Sequence, residues 1–327
     1  MPLLLTEADV KAIFTMPMAL ECVEASFRRL ADGTATVHPR RRLRMAPKGV
    51  MNYMAASDTA GGYMGLKIYT VAPGAVRFLV PLFSSQSGEL LAWIEADYLG
   101  QMRTGAATGV ASKVLARPDA HTLGMIGTGY QARTQLEAVA TAKKLEMALV
   151  FGRDQARREK FASEMSARLR IPVVAAKSAE ETIRSADIVI TSTTASKPVL
   201  EGRWLKPGTH INAIGSNFPE KQELDVEAVG RCDVIASDCV EQAKIEAGDL
   251  IQAFGADTSR WKGVVEMSDI IGGKVPGRTN QNQITLFKSA GIAIEDVVSA
   301  GRIYEIAKER GMGRDVPMWQ ESSSPQA

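Results

Sequence analysis

Three small residues, Gly127, Gly129 and Ala132, follow the apolar run His121-Thr122-Leu123-Gly124-Met125-Ile126 at the spacing GxGxxA, and a helical pattern begins near Tyr130. Gly127 permits a tight turn, Gly129 lets backbone approach a pyrophosphate, and Ala132 lets helix and strand pack closely. The uncapped N–H groups and positive dipole end of the helix would then face the phosphates. This spacing implies a dinucleotide site. An acidic residue about 20 positions further on usually takes the ribose 2′-hydroxyl. Here that place holds Gly152, followed by Arg153 and Asp154. A guanidinium suits a 2′-phosphate, so NADP(H) is expected ahead of NAD(H). Asp154, one residue further along, keeps NAD(H) open.

A second group of residues is cationic. Lys67 lies inside the apolar run Gly65-Leu66-Lys67-Ile68-Tyr69, Arg103 opens Arg103-Thr104-Gly105-Ala106-Ala107-Thr108, and Arg40-Arg41-Arg42-Leu43-Arg44 is a dense run. A charge inside an apolar strand is costly unless paired, so Lys67 requires a buried partner or a ligand. Together these cations suggest an anionic substrate, although an arginine run by itself more often marks a solvated face. His38, His121 and His210 are scattered and make neither a metal set nor a nucleophile–base pair. Cys22, Cys232 and Cys239 lack zinc spacing and read as buried small residues of a reducing compartment.

The elements that must position these groups fall into two patterns. From Thr6, with Thr6 and Asp9 as the cap, apolar residues recur at helical spacing to Leu30, and Asp32-Gly33 ends the helix. Short apolar runs at 50–54, 65–69, 78–83 and 90–94 predict a mostly antiparallel sheet. Helical spacing returns over 96–115 and closes at Arg117-Pro118. Beyond it, strands at 121–126, 147–151, 172–176, 187–191, 209–214 and 233–236 alternate with helices, as in a parallel sheet covered on both faces. Thr285 to Arg310 reads as one amphipathic helical region interrupted near Gly291. It is expected to pack back on the first domain. The expected architecture is therefore α/β: a Rossmann-type doubly wound domain over 118–293, and a discontinuous α+β domain of 1–117 completed by 294–327.

Composition narrows the partner. The 39 basic and 37 acidic residues leave a formal charge of +2, too small to favour nucleic acid or an anionic membrane. The N-terminus has no basic region before its short apolar run, so a cytoplasmic location is expected. The tail 321–327 is polar and expected to fray. The 14 methionines form no stripe and read as core filling.

Five segments, taken in order, resemble a known family. Gly65-Leu66-Lys67, the Arg103–Thr108 segment, Ile126-Gly127-Thr128-Gly129-Tyr130-Gln131-Ala132, Ile211-Asn212-Ala213-Ile214-Gly215-Ser216-Asn217 and Lys288-Ser289-Ala290-Gly291-Ile292-Ala293-Ile294-Glu295-Asp296 are similar to successive motifs of the ornithine cyclodeaminase/mu-crystallin family. The resemblance covers nearly the whole chain. It implies a homodimer whose first domain binds a substrate carboxylate and supplies the dimer interface, facing a Rossmann domain across a cleft. Arg41, Lys67 and Arg103 would grip the carboxylate, with the register inside 40–44 open. Tyr130, Gln131, Thr194, Ile211, Asn212, Ala213, Ile214, Lys221, Ser289 and Ala290 would line the cofactor or the nicotinamide end of the cleft. Gly152, Arg153 and Asp154 match the segment that chooses between NAD and NADP, and an arginine there resembles the ketimine reductase branch.

Two positions depart from the cyclodeaminase pattern. Asn217 stands where that branch has its catalytic aspartate, and Asn52 where it carries a glutamate. An amide cannot take a proton from an amine as a carboxylate can. The expected reaction is hydride transfer between nicotinamide and the α-carbon of a 2-imino acid or cyclic ketimine, with amino acid dehydrogenation as the reverse. Lys67 or a water would manage the nitrogen proton, and Asn217 would only orient it. An iminosuccinate-like dicarboxylate is a further substrate if the arginine run takes a second carboxylate. An ornithine- or lysine-type cyclodeaminase recycling its NAD, and a non-catalytic crystallin-like NADP binder, are the alternatives.

Overall fold

The computed structural model describes residues 1–46, 48–215 and 217–319. The tail expected to fray and Ser216 of the fourth motif lie outside the described residues. The chain forms two compact units, Met1–Arg103 with the residues from Ile292 on, and Thr104–Gly291.

The first unit begins with β1 (Leu3–Leu5), α1 (Glu7–Ile13) and α2 (Met16–Ala31). A capping box opens α1: the Thr6 side chain accepts from the Asp9 N–H, and Asp9 accepts from the Thr6 N–H at 2.9 Å. The single helix expected from Thr6 to Leu30 is thus two. Pro17 has no N–H to continue a helix from Ile13, so Thr15 takes extended backbone and caps a new one. There follow β2 (Ala35–Arg44), β3 (Val50–Asp58), β4 (Tyr63–Ala72), β5 (Ala75–Ser84) and β6 (Leu90–Glu95), paired antiparallel in sequence order. The arginine run thus belongs to β2, an edge strand of this sheet. Next comes α3 (Asp97–Leu115), in which Arg103 lies in the second turn and which continues into the second unit.

The second unit contains β7 (Thr122–Ile126), α4 (Ala132–Ala142), β8 (Met147–Phe151), α5 (Gln155–Leu169), β9 (Val173–Ala175), α6 (Ala179–Arg184), β10 (Ile188–Thr191) and β11 (His210–Ala213). It continues with α7 (Val226–Gly230), β12 (Val234–Ser237), α8 (Val240–Glu246), α9 (Gly248–Phe254), β13 (Val264–Glu266), α10 (Met267–Ile271) and β14 (Thr285–Lys288). The eight strands are all parallel, in the order β13-β12-β14-β11-β10-β7-β8-β9. Strand order reverses between β7 and β10, the switch point at which α/β sheets bind ligands beyond their strands' carboxyl ends. Thr285–Lys288 corrects the expectation of helix. All four side chains are buried, as a central parallel strand requires, and so short a buried run has no periodicity to betray it. Gly291, at φ 78°, separates this strand from the last helix.

The chain then returns to the first unit as α11 (Ala293–Arg310) and β15 (Arg314–Asp315). α11 packs on α2 and on the inner face of β3 and β4. It buries Glu295 and Asp296 along with its apolar residues.

Candidate active site

In the second unit the glycine turn joins β7 to α4. Gly127 has φ 112°, and a Cβ there would stand 2.2 Å from the Ser192 carbonyl oxygen, so no other residue fits. At Gly129 a Cβ would meet nothing within 4 Å, which leaves its backbone open to a ligand. No side chain caps the N-terminus of α4, and Gln131 Oε1 is buried without a hydrogen-bond partner among the described residues. Tyr130 is exposed beside it. This is a cradle of open backbone donors, and it fits a dinucleotide pyrophosphate.

Gly152, Arg153 and Asp154 follow β8 at the same edge of the sheet. A Cβ on Gly152 would lie 2.7 Å from Thr128 Oγ1, so the loop packs against the turn. Asp154 Oδ1 accepts from the Arg157 N–H at 2.8 Å and caps α5, which gives that carboxylate a structural task. Arg153 is exposed. Arg158 donates to the Gly152 carbonyl at 2.9 Å and lies over the Phe151 ring.

Three buried carboxylates brace the loops beyond β10, β11 and β14. Glu223 accepts from the Thr191 hydroxyl, from the N–H and hydroxyl of Thr193, and from the Gly215 N–H, at 2.7–2.9 Å. Burial pushes its pKa up, and Lys288 works against that shift. Asp249 pairs with Lys288 at 2.8 Å and accepts from the Glu223 and Leu224 N–H groups. Asp238 Oδ2 accepts from the Ser289 hydroxyl and from the N–H groups of Ala290 and Gly291. Sequence reading missed all three, because isolated acidic residues near apolar segments look like surface charges.

The residues expected along the nicotinamide end separate accordingly. Thr194, Ala213, Ile214, Asn217, Lys221 and Ala290 lie at or beyond the carboxyl ends of β10, β11 and β14. Ile211 and Asn212 do not. They are fully buried inside β11, and Asn212 Nδ2 donates to Ser112 Oγ at 3.0 Å, so the side chain serves packing. The Ser289 hydroxyl is likewise committed to Asp238.

In the first unit Lys67 projects from β4, 2 % exposed, and its Nζ donates to Asp296 Oδ1 at 2.7 Å. Arg103 Nε donates to the same oxygen at 3.2 Å and its guanidinium to Glu295 Oε2 at 2.8 Å. Lys67 also lies 5.3 Å from the centre of the Phe78 ring. Burial, then the Arg103 charge, pull the Lys67 pKa down to about 8, while Asp296 holds it up. The partner that the charge in an apolar strand demanded is therefore Asp296, 229 residues away in sequence.

Arg41, expected in this group, is exposed; the arginine that reaches it is Arg40, which is buried and acts on the Lys67 charge. A bulge is the reason. His38 pairs with Ala55 and Arg41 with Tyr53, so Pro39 and Arg40 of β2 oppose the single residue Met54 of β3. The extra residue turns Arg40 and Arg42 inward and Arg41 outward. Arg42 Nε donates to Asn52 Oδ1 at 3.2 Å.

A doubly wound sheet with this glycine turn, in a chain whose other unit buries a set of cations, defines an NAD(P)-dependent oxidoreductase of the class acting on CH–NH and CH–NH2 groups. The chain belongs to the ornithine cyclodeaminase/mu-crystallin family, whose model matches residues 1–311. It is 34% identical to the alanine dehydrogenase of Archaeoglobus fulgidus, over 97% of this chain and 99% of that protein. The Delta(1)-pyrroline-2-carboxylate reductase of Thermococcus litoralis, solved with NADH and L-proline, superposes with a TM-score of 0.91 at 36% identity, covering 96% of this chain and 100% of that one. The iminosuccinate reductase of Paracoccus denitrificans, solved with NAD+, gives a TM-score of 0.91 at 27% identity, covering 97% and 99%. No helix among the described residues is long and apolar enough to cross a membrane.

Proposed function

We propose that this protein reduces a small 2-imino acid or cyclic ketimine carboxylate to the amino acid with NAD(P)H, and runs the reverse dehydrogenation. The buried cluster of Lys67, Arg103 and Arg40 against Asp296 and Glu295 carries this reading. Lys67 and Arg103 are held together by Asp296 and Glu295, Arg40 acts on the Lys67 charge beside them, and such a set of buried cations suits a substrate carboxylate. The cofactor, held by Gly127, Gly129, Gln131 and the Gly152–Asp154 loop, supplies or accepts the hydride. Arg40 and Arg103 hold the substrate carboxylate. Lys67 is the proton donor: one Nζ–H bond breaks as an N–H bond forms on the imine nitrogen, and the neutral amine is recharged from water. Asn217 orients the nitrogen by hydrogen bonding.

Arg42, turned inward beside Arg40 and held by Asn52, supports a second reading in which the substrate is a dicarboxylate such as iminosuccinate. A homodimer in the cytoplasm completes the proposal. A surface concavity of the first unit, lined by Ala55, Ala56, Met64, Leu66 and Phe83, offers apolar area for such an interface. The deciding assay supplies NADPH or NADH with pyruvate and ammonia, oxaloacetate and ammonia, or cyclic ketimines, and follows nicotinamide absorbance. Oxidation of the cofactor by one of these imines is expected. Ammonia release from ornithine or lysine without net cofactor turnover would establish a cyclodeaminase instead. Cofactor binding with silence in both assays would leave a non-catalytic binder.

A further inference from the structure

The last of the five motifs ends in Glu295-Asp296, and the proposed chemistry assigns these two carboxylates no step of their own. Their placement is unusual. Both stand in the first turn of a helix buried on nearly every side, and both are fully inaccessible to solvent. Asp296 spends a single oxygen, Oδ1, on two cations from different elements, Lys67 of β4 and Arg103 of α3. Its Oδ2 has no hydrogen-bond partner among the described residues. Glu295 takes the outer edge of the Arg103 guanidinium.

We infer that Asp296 is the positioning residue of the reaction: it keeps the Lys67 ammonium charged and aimed, and fixes its spacing to the Arg103 guanidinium. This rests on the reading of Lys67 as proton donor. The groups facing Lys67 are Arg103 from α3, Arg40 from β2, the Phe78 ring from β5 and Asp296 from α11. Of these, only Asp296 favours the ammonium by charge. Burial and both arginines oppose it, so a neutral residue at 296 would release the proton from Lys67 at lower pH. The positive dipole end of α11 and the two cations complement the Asp296 charge, and it passes no proton itself. Its effect is to set how much of the enzyme holds a proton to give.

The test is the pH profile of kcat/KM for imine reduction by wild type and Asp296→Asn, with NAD(P)H affinity measured separately by fluorescence. The limb that falls near pH 8 in wild type should move down by at least about one unit in Asp296→Asn, a tenfold loss of protonated Lys67 per unit. The deficit should shrink as the pH is lowered toward 6, with cofactor affinity unchanged. A loss constant across pH, or no loss, overturns the proposal, because a merely structural ion pair has no reason to follow Lys67 protonation. Should Asp296→Asn fail to fold, Asp296→Glu is read in its place. It keeps the charge but moves it, so the limb should stay while kcat falls, and an unchanged kcat overturns the proposal. Lys67→Met separates the two levels: if it reduces imines at the wild-type rate, the proton-donor reading fails and this inference with it. If Lys67→Met is inactive and Asp296→Asn is flat, only the role of Asp296 fails.

Discussion

Glu223 Oε1 accepts both the backbone N–H and the hydroxyl of Thr193, each at 2.7 Å, so a single buried carboxylate sets the first residues beyond β10. Its other oxygen accepts from Gly215 and Thr191. Replacing it by glutamine turns a donor toward donors. Glu223→Gln should lose about 1.5–3 kcal/mol of stability, the range for a buried hydrogen bond to a charged group. Thermal denaturation should show a fall in Tm on the order of 5 °C. Nicotinamide affinity should weaken as well, and full retention of both would refute the bracing role.

With Lys67 as the proposed proton donor, the pH dependence of the forward reaction follows from its titration. Its pKa is lowered to about 8, first by burial and then by Arg103. A reduction that needs the ammonium should be level below that pH and decline about tenfold per unit above it. Amino acid oxidation, which needs the neutral amine, should rise through the same region. Initial rates in both directions from pH 6 to 10 check the sign. Parallel profiles in the two directions would exclude Lys67 as the group that exchanges the proton.

Arg40 and Arg41 are adjacent in sequence but face opposite ways. Arg40→Gln should raise KM for the imino acid roughly 10- to 100-fold, as loss of a charge-assisted contact worth about 1.5–3 kcal/mol predicts. Arg41→Ala should leave KM within about a factor of two, since an exposed substitution shifts energies by only about 0.5 kcal/mol. Steady-state kinetics of the two variants give the answer, and a larger effect at Arg41 would place the bulge elsewhere.

Cofactor choice is proposed to rest on Arg153. Asp154 is engaged in capping α5, and the exposed guanidinium beside it suits a 2′-phosphate. Arg153→Ala should weaken NADPH by about tenfold, or 1.4 kcal/mol, and leave NADH nearly unchanged. Equal losses for the two cofactors in a binding titration would remove Arg153 from this role.

Much of this protein is legible in its residues alone, where the signal is local. The GxGxxA turn declares itself because backbone geometry forces glycine at 127 and close helix–strand packing calls for a small residue at 132. The capping box at Thr6 is equally local, as is the strand–helix alternation that announces the parallel sheet. Lys67 advertises a buried partner because a charge in an apolar strand is too costly to stand alone. Thr285–Lys288 reads as helix because four buried residues carry no period of their own. Pro17 splits an expected helix in two through the N–H it lacks.

What the tertiary structure decided is which distant groups share a charge. Asp296 lies 229 residues from Lys67, and nothing in either segment names the other. Only the return of α11 to the first unit brings them to 2.7 Å. The bulge in β2 likewise chose Arg40 over Arg41, because side chains alternate along a strand and one extra residue reverses every face beyond it. Sequence specified the residue types of a dinucleotide turn and of a cationic cluster. Long-range packing specified which of them are buried together, and burial is what gives their charges chemical effect.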